Sequence, residues 1–138
     1  MNREIKFRGK KTNDGEWIEG NLISPDFIVG EMVDFDDEYF NAEFWWRVDQ
    51  KTVGQFTGLK DKNGVDIYEG DVIQRTIELC GQKSTFTEFV LSIPGSFASK
   101  DANDVSDYST VLAHYLGHKM EVIGNIHDNP ELINFQFI

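Results

Sequence analysis

Residues 55–75, Gln-Phe-Thr-Gly-Leu-Lys-Asp-Lys-Asn-Gly-Val-Asp-Ile-Tyr-Glu-Gly-Asp-Val-Ile-Gln-Arg, constrain the fold more than any other part of the chain. Asn63-Gly64 suits the two positive-φ positions of a type I′ hairpin loop, flanked by segments with strand character. Ile67 and Tyr68 then run into a second break, Glu69-Gly70-Asp71, and Val72-Ile73 start a new strand. A turn, a tight corner and a strand are written here, but no reactive group. The stretch predicts a β-rich domain and is silent on chemistry.

At 138 residues the chain has the length of a single domain, 1–138, with room for one core. Hydrophobic residues at 40% and charged residues at 27% are globular values, and aromatics at 13% are plentiful, so disorder is not expected. Polar residues follow Met1 directly, and no apolar run approaches the roughly 20 residues of a membrane span. The expected location is the cytoplasm. The single cysteine, Cys80, excludes an internal disulfide and a multi-cysteine metal site. It ends a strand beside Gly81 with Lys83 as its nearest basic neighbour, which predicts an inert, buried thiol.

Charge narrows the function classes. The net charge is −11, yet five of thirteen basic residues lie in the first eleven positions, while residues 12–46 hold ten acids and no Lys or Arg. Non-specific nucleic-acid affinity comes from neutralising phosphates with cations, so this balance disfavours it. Lys6, Arg8 and Lys10 alternate onto one face of an N-terminal strand, where they can touch a phosphate or pair across strands with Glu16 and Glu19. The expected fate of that face is solvation or ion pairing. A DNA mimic that occupies a host factor is a further possibility for an acidic chain.

Metal and nucleotide motifs fail on spacing. Asp34, Asp36, Asp37 and Glu38 lack the glycine of a calcium loop, and in residues 61–66 the glycine falls at position 4 instead of 6. Gly54 and Gly58 are too close for a phosphate loop, and Leu59 follows where Lys is required. His114 and His118 lie four apart, but Tyr115 replaces the glutamate of a zinc helix and no third ligand is evident. No cofactor or metal is expected.

Elsewhere the pattern predicts strands: residues 3–9 returning through 16–23, then 27–33, a stretch carrying Phe40, Phe44, Trp45 and Trp46, then 72–80, 85–93 and 119–127. Adjacent Trp45 and Trp46 must point to opposite faces of a strand, one toward the core and one outward. Residues 99–103 read as an exposed polar loop. Val105, Tyr108, Val111, Leu112, Tyr115 and Leu116 recur at helical spacing between a capping Asp104 and Gly117, which predicts a helix over about residues 104–116. Asn129-Pro130-Glu131 starts a short helical turn. Phe135 and Phe137 in the tail need a docking place.

The pattern Thr57-Gly58-Leu59-Lys60-Asp61-Lys62-Asn63-Gly64 followed by Ile67-Tyr68-Glu69-Gly70-Asp71-Val72-Ile73 resembles the signature of the YopX family of phage and prophage proteins. Arg3-Glu4-Ile5-Lys6-Phe7-Arg8 is similar to that family's opening strand. Residues 121–132, Glu-Val-Ile-Gly-Asn-Ile-His-Asp-Asn-Pro-Glu-Leu, are similar to its closing one. The resemblance makes Gly58, Asn63, Gly64, Tyr68, Glu69, Gly70 and Asp71 a structural signature. It carries no assigned activity and no catalytic residues. Residues 26–50 and 79–117 match none of its motifs.

The fold expected is mainly β (α+β): a strongly bent sheet or partly closed SH3-like barrel, with an N-terminal hairpin and one peripheral helix. The function expected is that of a non-enzymatic accessory protein acting by self-association or by binding a protein partner. Trp45, Trp46, Lys6, Arg8, Lys10, Phe135 and Phe137 are the candidate contact residues. A nucleic-acid role for the basic strand comes second. An enzyme comes last, because no nucleophile, acid–base or metal constellation has a recognisable spacing.

Overall fold

A computed structural model of the chain describes residues 4–35, 40–93, 96–101, 110–111 and 120–133. The chain forms two compact units, Met1–Phe56 and Thr57–Ile138. Both are mainly antiparallel β-structure. Among the described residues helix is confined to two 3-10 turns, Gln50–Thr52 and Pro130–Leu132.

The first unit is a meander of β1 (Phe7–Lys10), β2 (Trp17–Ser24), β3 (Phe27–Phe35) and β4 (Phe40–Arg47), in the order β4-β3-β2-β1. The opening residues of β5 (Gly54–Lys60) pair with β1 on its other side, Arg8 facing Gly54. The N-terminal hairpin is therefore present, with Arg8 opposite Glu19 and Lys10 opposite Trp17. Ile28 and Val48 are buried under it. They reach the backbone of β1 because Gly9 has no side chain: a Cβ there would lie 3.0 Å from Val48 Cβ. The end of β4 bends back to β1 through a bridge between Lys11 and Val48. Arg47 O accepts the Thr12 N–H at 3.1 Å, and Lys10 O accepts the Asp49 N–H at 2.8 Å.

The second unit holds β6 (Asp66–Tyr68), β7 (Asp71–Leu79), β8 (Gln82–Ile93), β9 (Ser96–Asp101), β10 (Thr110–Val111) and β11 (Met120–Asn125). Its sheet runs β10-β9-β8-β7-β11. Ile67, Ile73, Val90 and Met120 form its core, with Leu59, Phe97 and Val122 packed around them. Each such buried side chain stabilises the fold by about 1.5–3 kcal/mol. Neither sheet closes on itself among the described residues, so the expected partial barrel lacks a closing ladder.

The signature stretch folds as a turn, a corner and a strand. Gly58, Gly64 and Gly70 all take positive φ, at 86°, 82° and 94°. The loop after β5 is not the expected type I′ turn, because Asn63 is not among the positive-φ residues. Instead the Gly64 N–H reaches Asp61 O at 3.0 Å, and the Asp61 N–H reaches Val65 O at 2.8 Å. This is the wider hairpin loop in which glycine takes the left-handed position after the first bend. At the corner, Asp71 Oδ2 accepts the Tyr68 N–H at 2.7 Å, the Gly70 N–H bonds Val90 O, and Gly70 O accepts from Ile126.

The type I′ pair lies elsewhere. Cys80 and Gly81 join β7 to β8 with φ of 52° and 80°. Cys80 is exposed at this tip rather than buried at a strand end, because a two-residue loop leaves it no neighbours to hide against. Positive φ strains a cysteine more than an asparagine. Cys80→Asn is expected to stabilise the protein by about 0.5 kcal/mol, read as a higher urea midpoint. A lower midpoint would contradict the assigned turn.

Two further expectations change. Thr110 and Val111 are extended and pair with Ser99 and Ala98, so the helix expected over residues 104–116 is not continuous there. Both residues have strand propensity, which outweighs a helical spacing in so short a piece. The remainder of that stretch, with His114 and His118, lies outside the described residues. Residues 99–101 belong to β9 and not to an exposed loop, and Ser99 is buried.

Candidate interaction surface

Alternation along β1 sends Lys6, Arg8 and Lys10 to one face, and each meets an aromatic ring. Lys6 Nζ lies 4.9 Å from the centroid of Phe56, while Arg8 Cζ and Lys10 Nζ lie 4.8 Å and 5.7 Å from that of Trp17. Lys6 also pairs with Glu4 at 3.3 Å, and its side chain is only 21% exposed. The basic strand is thus spent internally, as cation–aromatic and ion-pair contacts. The contact of Lys6 with Phe56 was not legible in the sequence, because that ring lies far along the chain.

The two tryptophans of β4 take opposite roles. Trp46 is half-buried beneath Lys11, whose Nζ lies 4.1 Å from the ring centroid and also pairs with Asp14 and Glu16. Trp45 is 64% exposed. Its register partner is Val29, and its ring leans on Phe27 with centroids 5.6 Å apart at 54°. Arg47 lies opposite Phe27 in the register, its Cζ 5.0 Å from the Phe27 centroid. Arg47 Nε also approaches Asp26 Oδ2 at 3.7 Å. Ile23, the unpaired residue of the bulge between β2 and β3, is 57% exposed in the same unit.

An exposed Trp, a Phe and an Arg are thus held in register by two strands. Trp and Arg dominate the energetics of protein interfaces because each combines a large flat surface with directed donors. Phe135 and Phe137 lie outside the described residues. Among the described residues no group of three or more His, Cys, Asp or Glu is placed to hold a metal ion. None of their helices is long and apolar enough to cross a membrane.

The profile of the YopX protein family matches residues 6–134, which include most of both units. The chain belongs to the YopX family. A solved structure, that of protein EF1440 from Enterococcus faecalis, is similar to this chain with a TM-score of 0.63. The identity is 25%, over 96% of this chain and 100% of that one. Comparison with curated proteins finds no match. Gly58, Asn63, Gly64, Tyr68, Glu69, Gly70 and Asp71 lie in the loop and corner of the second unit, with positive φ at the three glycines and the Asp71 carboxylate on the Tyr68 N–H.

Proposed function

We propose that this chain is a non-enzymatic phage or prophage accessory protein that works by docking a protein, a second copy of itself included. The contact surface is the Trp45–Phe27–Arg47 patch. The observation that carries the reading is the 64% exposure of Trp45 on a ring stack whose other members are held in place. Covering an indole of this kind contributes about 2–3 kcal/mol to an interface. The reading takes the protein to act in the cytoplasm of a bacterial host, as the family resemblance implies. It also treats the Lys11–Val48 bridge as the start of a barrel-like curl in the first unit.

The nucleic-acid alternative is weaker on the same geometry. Lys6, Lys11 and Arg47 already have carboxylates beside them, and Arg8 and Lys10 share the Trp17 ring. On a chain of net charge −11 little cationic surface is left for phosphates.

Affinity capture from host cells with wild type, Trp45→Glu and Gln50→Glu tests the reading. Trp45→Glu is expected to lower recovery of the specific partner about tenfold or more, and Gln50→Glu, on an exposed turn, to leave it unchanged. Equal recovery by all three proteins would remove Trp45 from the contact surface.

A further inference from the structure

We propose that Asn63 is a deamidation site gated by the Asp61 carboxylate: its side-chain amide is lost only in chains whose loop has opened, and conversion then hinders reclosure. Asn63 is the one asparagine of the chain followed by glycine, and it is exposed. No side chain shields the Gly64 nitrogen, and even a Cβ placed on Gly64 would meet nothing within 4 Å. In the reaction this nitrogen gives up its proton to solvent base and bonds to Asn63 Cγ. The Cγ–Nδ2 bond breaks, Nδ2 takes a proton and leaves as ammonia, and a cyclic imide remains. Water opens the imide at Cγ to give aspartate, or at the main-chain carbonyl carbon to give isoaspartate.

The closed loop opposes that ring. The Gly64 N–H bonds Asp61 O at 3.0 Å, which closes a turn over Lys62 and Asn63, and neither of these has positive φ. With all peptides trans, type I is the hydrogen-bonded turn that fits, so Asn63 holds a ψ near about 0°. At that ψ the Gly64 nitrogen eclipses the nitrogen of Asn63, whereas the imide requires it to eclipse Cβ. Rotation about the Asn63 Cα–C bond is opposed by Asp61 Oδ1, which holds the N–H groups of Asn63 and Val65 on either side at 2.8 Å and 2.9 Å. The same carboxylate ties the loop to the Val122 N–H, so the reactive geometry needs these bonds released together. Isoaspartate then adds a carbon to the main chain of a loop whose closure depends on its length.

Mass spectrometry of the peptide spanning positions 63 and 64, after timed incubation of the full chain at neutral pH, is the test. Native wild type is expected to deamidate there about tenfold or more slower than the same protein unfolded in urea. Asp61→Ala in buffer should react about tenfold or more faster than native wild type. Because that variant also loses global stability, wild type in urea below its unfolding midpoint separates the two routes. Opening a short loop exposes little surface, so the rate at position 63 should stay nearly flat until the midpoint is approached. A rate that climbs in parallel with global unfolding from the lowest urea overturns the local gate. So does Asp61→Ala reacting at the wild-type rate, or native wild type reacting as fast as the unfolded chain.

Discussion

Replacing Glu88 with alanine is expected to destabilise the protein by about 3–5 kcal/mol. Glu88 is 5% exposed on β8. Its Oε1 and Oε2 accept Arg75 Nε and Nη2 at 2.9 Å and 3.0 Å, and Oε1 also accepts Ser99 Oγ at 3.1 Å. The Arg75 side chain is only 13% exposed and stacks on Phe86. Removing the carboxylate leaves a mostly buried guanidinium without its bidentate partner, and that desolvated charge is the source of the cost. The pair itself need not stabilise the fold, since desolvating both ions offsets most of their attraction. Arg75→Met combined with Glu88→Leu is therefore expected to cost much less than either single change. Urea denaturation of wild type, Arg75→Met, Glu88→Leu and the double variant closes the cycle. Single changes within about 1 kcal/mol of wild type would mean that water reaches this pair.

Asp61→Ala is expected to cost about 3 kcal/mol or more. Its carboxylate joins a loop to a strand: Oδ1 accepts the N–H groups of Asn63 and Val65 at 2.8 Å and 2.9 Å, and Oδ2 that of Val122 at 2.9 Å. Met120 O accepts the Lys62 N–H alongside, so the loop covers the outer edge of β11. Burial alone would raise the pKa of Asp61, but the amides of Val122, Val65 and Asn63, with Lys62 nearby, hold it below the usual carboxylate value. The unfolded chain titrates this group near about 3.9. A folded pKa below that means the stabilisation is complete above about pH 5 and is lost as pH falls through 3.9 toward the folded value. Asp61→Asn, which cannot ionise, should therefore differ most from wild type near neutrality, with the gap closing toward about pH 3. A gap that is constant or widens in acid would contradict the carboxylate's role.

Local patterns made much of this fold legible. The alternation of Phe7 with the basic residues around it marked the first strand, although Ile5, expected on its buried face, lies before it and is 61% exposed; the β-branched run from Val72 marked β7. Gly64 at positive φ followed from its turn dipeptide. What stayed hidden depends on contacts distant in sequence. Asp61 looked like part of a failed calcium loop because its third donor, Val122, lies 61 residues on. Ser99 looked solvent-exposed because polar neighbours surround it, whereas Glu88 satisfies it inside. Val111 fitted a helical spacing, since a two-residue strand is too short to show alternation. Cys80 read as buried because cysteine rarely signals a hairpin tip.

At the candidate surface, sequence separated Trp45 from Trp46 by the pleat of a strand but did not say which one faced out. The answer comes from the end of β4 folding back to β1, which puts Trp46 under Lys11 and leaves Trp45 on the outer face. The basic strand kept its alternation and its hairpin partner β2 but also met a ring contributed by β5, which only the sheet order reveals.

The proposed docking role requires Trp45 to be covered by protein when the chain is at work. Photo-crosslinking in producing cells from a benzophenone amino acid at position 45, with position 50 as the exposed control, tests it most directly. Protein adducts are expected from position 45, to a second copy or to another chain, and few from position 50. Adducts to nucleic acid from position 45, or equal yields from the two positions, would contradict it.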